Sequence, residues 1–148
     1  MEAHRRLLGA LGVIASLIFV GVEIRQNTAA VRSATIMDTS NQVMTLLLTL
    51  ATDDDLTRIY AELNAENLGL DSLDPQDAIR FSMFVVAGLR RVENVFLQVD
   101  QGVLNPTALG QVGMSFYQLR AAREVWALIR LDVAEEFTTY WDEALGPE

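Results

Sequence analysis

The chain has 148 residues, 51% of them hydrophobic, and its 20 acidic side chains outnumber 11 basic ones, for a formal charge of −9. One domain fits that length, the apolar fraction excludes a disordered tail, and the negative charge opposes a nonspecific grip on nucleic acid, where phosphate neutralisation supplies most of the affinity. With no cysteine, no lysine and a single histidine at position 4, disulfide scaffolds, thiolate metal sites, thiol nucleophiles, Schiff bases and P-loop mechanisms are excluded as well.

The first element is the run Leu7 to Val22, LLGALGVIASLIFVGV, sixteen positions without a charge. His4, Arg5 and Arg6 precede it; Glu23 and Arg25 follow it. As a helix it spans roughly 24 Å, and snorkelling of Arg6 and Arg25 extends the usable length to about 30 Å, the thickness of a hydrocarbon core. The run therefore predicts a transmembrane anchor over residues 1–25. A cleaved signal peptide and a buried core helix compete with it, but no small-x-small site closes the run, which continues through Glu23-Ile24-Arg25. Gly12 and Ser16 form a small-xxx-small pair at which another membrane helix could approach. The positive-inside rule ties, with Arg5 and Arg6 at one end against Arg25 and Arg32 at the other.

No glycine or proline interrupts residues 22–52, so the anchor is expected to continue as one long helix, a helical extension over 26–52. Val22, Ala29, Ile36, Val43 and Leu50 recur at intervals of seven and mark an apolar stripe on it. Residues 53–148 are expected to form a helical bundle. Asp53, Asp54 and Asp55 read as the cap and first turn of a helix holding Ile59, Tyr60 and Leu63, because carboxylates favour helix N-termini; they lack the spacing and turn glycine of a calcium loop. Asn64 to Ser72 reads as a loop. Asp74-Pro75-Gln76-Asp77 starts a helix that holds the nearly uninterrupted apolar segment Phe81 to Leu89 and runs to about Gln101, and it should be the centre of the bundle. Asn105-Pro106 predicts a further helix through Phe116, Tyr117 and Leu119. Another pattern covers Val125, Trp126, Leu128 and Ile129. Asp132-Val133-Ala134-Glu135 resembles a capping box for a last helix with Phe137, Tyr140, Trp141 and Leu145. No alternating strand pattern is present, so the expected fold is all-α.

Ile24-Arg25-Gln26-Asn27-Thr28, directly after an apolar run, together with Arg90-Arg91-Val92-Glu93-Asn94 and Gln98 downstream, resembles a widespread set of uncharacterised bacterial proteins. The likeness covers nearly the full chain in the order and spacing of elements and departs from the group's pattern in the last third, where aromatic and charged positions differ. It implies a single-pass anchor whose helix runs into a small helical domain, in the inner (cytoplasmic) membrane. Members usually carry acidic starts before the span, which implies a cytoplasmic domain. It implies an architecture and no reaction.

One polar constellation stands out. Arg91, Asn94 and Gln98 share a face of the central helix, with Arg90 and Glu93 on a neighbouring face. Glu23, Gln26 and Asn27 form a second polar cluster on the first helix. The functional reading is an anion pocket with Arg91 as a guanidinium clamp and Asn94 and Gln98 as orienting amides. The structural reading, favoured here, is a hydrogen-bonded network that fixes helix register, since a buried charge must be paired.

Enzyme templates fail in turn. A di-iron bundle needs Glu-x-x-His pairs, and no histidine follows position 4. Ser-His-Asp catalysis lacks its base, and carboxylate pairs drawn from Glu62, Glu66 and Glu93 arise by chance among 20 acidic residues. The aromatic set Trp126, Phe137, Tyr140 and Trp141 reads as helix packing or a partner face rather than a cofactor box. No catalytic residue, cofactor or metal is expected. The sequence points to a non-catalytic, membrane-anchored helical protein, acting as an interaction module or accessory subunit of a membrane complex. Its expected partners are the lipid bilayer and a membrane protein or a second copy of itself. The alternatives are a homo-oligomeric membrane scaffold and a small-anion sensor using Arg90 and Arg91.

Overall fold

The computed structural model describes residues 2–147, with side chains described from Leu11 onward. All regular structure among these residues is helical. The elements are α1 (Glu2–Thr52), α2 (Asp54–Glu66), a 3-10 turn at Leu70–Ser72, α3 (Pro75–Asp100), a 3-10 turn at Pro106–Gln111, α4 (Met114–Tyr117), α5 (Arg120–Ile129) and α6 (Glu135–Leu145). By internal contacts the chain divides into two compact units, Met1–Met37 and Asp38–Glu148.

The first unit consists of α1 residues, and from Leu11 onward its large apolar side chains are exposed. Leu11, Val13, Ile14, Leu17, Ile18, Phe19, Val20 and Val22 are 47% to 68% exposed and surround the helix rather than forming one face. Among the described residues no helix is both long and apolar enough to cross a membrane. The run Leu7–Val22 starts outside that range, because the side chains of Leu7, Leu8, Gly9 and Ala10 lie outside the described residues.

In the second unit, local chemistry sets most boundaries. Asp53 is extended, accepts a hydrogen bond from the Leu56 N–H at 2.9 Å and so caps α2, with Asp54 and Asp55 in its first turn. The Thr57 hydroxyl donates back to the Leu50 carbonyl, tying α2 to the end of α1. Asn67, at φ 50°, ends α2 in the left-handed region that asparagine tolerates. The expected loop Asn64 to Ser72 is therefore shorter: its first residues are helical and its last form the 3-10 turn. Asp74 caps α3 through the N–H groups of Gln76 and Asp77, and Pro75 occupies the first helical position.

Two expectations fail. The helix predicted from Asn105-Pro106 through Leu119 is a 3-10 turn followed by the single turn α4, broken at Gly113, whose φ of 80° no α-helix accommodates. The predicted capping box at Asp132–Glu135 does not form, because the N-cap of α6 is Ala134, which has no side-chain oxygen to offer.

α3 is the centre of the unit and packs against α2, α5, α6 and the 106–111 turn. Its Phe81, Val85, Leu89, Val92 and Val95 follow helical spacing and are fully or almost fully buried. They meet Ile59 and Leu63 of α2, Val125 and Trp126 of α5, and Phe137 and Trp141 of α6 in one core. Each such side chain contributes about 1.5–3 kcal/mol by leaving water. Trp126, Phe137 and Trp141 pack mutually at ring separations of 5.6–6.4 Å, so this part of the aromatic set is core. Between α2 and α3, buried Asp77 holds Arg58 at 2.6 Å and Arg80 at 3.5 Å, and Arg80 also reaches Asp55 at 2.6 Å.

Of the stripe at seven-residue intervals on α1, Val22, Ala29 and Ile36 are exposed. Val43 and Leu50 are half-buried, joined by Gln42 and Leu46. The stripe is thus covered only where α1 belongs to the second unit.

Candidate functional site

The second half of α3 brings Arg90, Arg91, Glu93, Asn94 and Gln98 together, and each does something different. Arg90 is exposed and pairs with Glu93 Oε2 at 2.9 Å. Glu93 Oε1 accepts the Ala134 N–H at 2.9 Å, so α3 supplies the carboxylate that the local capping box was expected to provide for α6. Gln98 Nε2 donates to Asn94 Oδ1 at 3.0 Å, while Gln98 Oε1 is buried without a partner. Glu23, Gln26 and Asn27 are exposed on α1 and belong to the other unit. Gly12 and Ser16 are exposed as well; the Ser16 hydroxyl donates to the Gly12 carbonyl at 2.9 Å, and nothing lies within 4 Å of where a Gly12 Cβ would stand.

Arg91 departs from the expected pairing. It is 8% exposed, yet no carboxylate among the described residues forms an ion pair with it. Its Nη2 donates to the Val112 carbonyl at 2.8 Å, and its Nε is buried without any partner. Tyr117 stands beside it. Burial pushes the Tyr117 phenol above its ordinary pKa, and the charge of Arg91 and a hydrogen bond from it oppose that shift. The phenol packs over Gly88 so closely that a Cβ there would lie 2.4 Å from Tyr117 Oη.

Two clefts adjoin Arg91, both within the second unit. One, of about 510 Å³, is lined by Asp38, Asn41, Gln42, Arg90, Arg91 and Asn94 together with Thr45, Leu46 and Ala87. The other, of about 330 Å³, has walls from Val43, Leu46, Leu47, Tyr60, Phe84 and Phe116, and Arg91 and Tyr117 also line it. Its lining includes no acidic residue.

Gly88, Val112 and Tyr117 escaped the sequence reading as site residues. A glycine inside an otherwise uninterrupted helix is the available signal, since it marks a place where another group comes close. Nothing in the sequence points to the Val112 carbonyl, which becomes an acceptor only because Gly113 breaks the helix next to it. No protein-family model, curated protein or solved structure matches the chain.

Proposed function

We propose that this chain is a non-catalytic, membrane-anchored helical protein that serves as an interaction or accessory subunit of a membrane complex. The observation that carries this reading is the ring of exposed apolar side chains from Leu11 to Val22. A helix apolar on all sides needs either protein or lipid around it. Together with Leu7–Ala10 the run approaches the length of a single span, and in the sequence Arg6 and Arg25 flank it at its two ends, where long basic side chains reach headgroups. Gly12 and Ser16 offer the small surface at which a neighbouring span, of a partner or a second copy, would pack. The resemblance in Ile24–Thr28 and Arg90–Asn94 supports the same anchored architecture, in an inner membrane with the helical domain on the cytoplasmic side.

An alkaline carbonate wash of membranes tests the anchor: the full-length chain stays in the pellet if the reading holds, and its release into the supernatant contradicts it. Purification in a mild detergent tests the role, with co-purification of a membrane protein expected and recovery only as a lone homo-oligomer favouring the scaffold alternative.

A further inference from the structure

We propose that the 330 Å³ cleft beside Arg91 is a binding site for a small carboxylate with an apolar body, such as a medium-chain fatty acid. The argument starts from the charge. A guanidinium remains protonated in proteins, and burying it without a counter-charge is costly unless something supplies one. Arg91 is 8% exposed, its Nε has no partner, and the groups that accept from it, the Val112 carbonyl and the Tyr117 phenol, are both neutral. Arg90 differs in both respects, being exposed and paired with Glu93. The charge available to a ligand is therefore that of Arg91.

The walls specify the rest of the ligand. Val43, Leu46, Leu47, Phe84 and Phe116 are apolar, Gln111 and Ser115 add neutral polar groups, and no carboxylate lines the cleft to compete for the guanidinium. Its volume lies at the lower end of the roughly 300–1,000 Å³ typical of small-molecule sites. One positive charge matches a monoanion, and the Tyr117 hydroxyl beside Arg91 is a second polar contact for a carboxylate oxygen. The neighbouring 510 Å³ cleft is a poorer candidate, because Asp38 stands in it and Arg90 is already neutralised. The site lies wholly in the second unit and does not depend on where the first one resides.

The test uses the full-length chain in lipid nanodiscs, titrated with carboxyl-labelled octanoate and followed by carbon NMR against empty nanodiscs. Saturable binding is expected, with octanamide, which has no charge, binding at least about tenfold more weakly, as loss of a charged hydrogen bond implies. Arg91→Met should abolish octanoate binding and Arg90→Met should retain it. Leu47→Trp, which fills the cleft from its exposed rim, should also abolish binding and carries the test if the Arg91 variant does not fold. Absence of saturable binding to the wild-type chain, equal binding of octanoate and octanamide, or unchanged binding by Arg91→Met or Leu47→Trp would overturn the proposal.

Discussion

The carboxylate of Glu93 on α3 joins two distant parts of the chain: one oxygen accepts the backbone N–H of Ala134, 41 residues later, and the other holds Arg90. Ala134 cannot cap α6 itself, so the start of that helix depends on a side chain from the centre of the bundle. Glu93→Ala should destabilise the protein by about 1–3 kcal/mol, the cost of leaving a partly buried donor unsatisfied. Glu93→Gln, which keeps an acceptor, should cost less. Denaturant unfolding measures the difference, and hydrogen exchange should show the first turn of α6 opening before the core of α3. Equal stability of Glu93→Ala and wild type would remove this role.

Gly88 and Tyr117 form a second close pair. A Cβ at position 88 would lie 2.4 Å from Tyr117 Oη and 3.3 Å from Cζ, so Gly88→Ala must displace the ring. Helix propensity favours alanine by about 1 kcal/mol, but overpacking costs about 1–3 kcal/mol, and a net loss of stability is expected. The cost should shrink in a Tyr117→Phe background, where the clashing oxygen is gone. A double-mutant cycle that finds the two changes additive would mean that the ring does not bear on Gly88.

Arg91→Met in the unliganded protein should be neutral or stabilising, since it replaces an uncompensated buried charge with an apolar side chain of similar reach. Arg90→Ala should cost no more than about 1 kcal/mol, the value of an exposed pair, apart from its effect through Glu93. Thermal unfolding of the two variants separates these expectations. A large destabilisation by Arg91→Met would return Arg91 to the role of a register-fixing group.

The phenol of Tyr117 sets an alkaline limit. Burial raises its pKa above the ordinary 10.0 against the opposing charge of Arg91. A group raised on folding stabilises the native state fully below its unfolded value, and that contribution is lost as pH rises through the folded value. Stability should therefore fall above pH 10, less steeply in Tyr117→Phe. Arg91→Met should move the Tyr117 titration, followed by tyrosinate absorbance, to higher pH. A shift to lower pH would contradict the proximity of the two groups.

At the acid end Asp74 behaves oppositely. The N–H groups of Asp77 and Gln76 hold its carboxyl below the usual 3.8. Its contribution is present above pH 3.8 and disappears as pH falls through the lowered value. The stability gap between wild type and Asp74→Ala should accordingly close in strong acid; a gap that persists there would show that the cap does not depend on the ionised form.

What the sequence discloses and what it withholds divide along chain distance. Asp53 and Asp74-Pro75 are readable because a cap and its N–H donors lie within three residues. The core stripe Phe81–Val95 is readable because helical period alone orders it. Glu93 and Ala134 are not, since neither residue marks the other, and the Asp132–Glu135 pattern competes as a plausible local cap. Asn67 is similar: its side chain accepts the Arg120 N–H at 3.0 Å at the start of α5, 53 residues away. The segment from Pro106 to Leu119 has helix-start chemistry, but Gly113 adopts a positive φ that turns it into two short pieces. For Arg91 the sequence shows that a charge sits on the central helix but not that its partner is the Val112 carbonyl, 21 residues away, rather than a carboxylate.

The claim on which the functional reading rests is that the ring of side chains from Leu11 to Val22 lies among acyl chains. The chain has no cysteine, so single spin labels at Phe19→Cys and Asp100→Cys report cleanly from the reconstituted protein. The label at position 19 should be relaxed strongly by oxygen and shielded from a water-soluble nickel reagent, with the reverse at exposed position 100. Equal access of the nickel reagent to both positions would contradict the account.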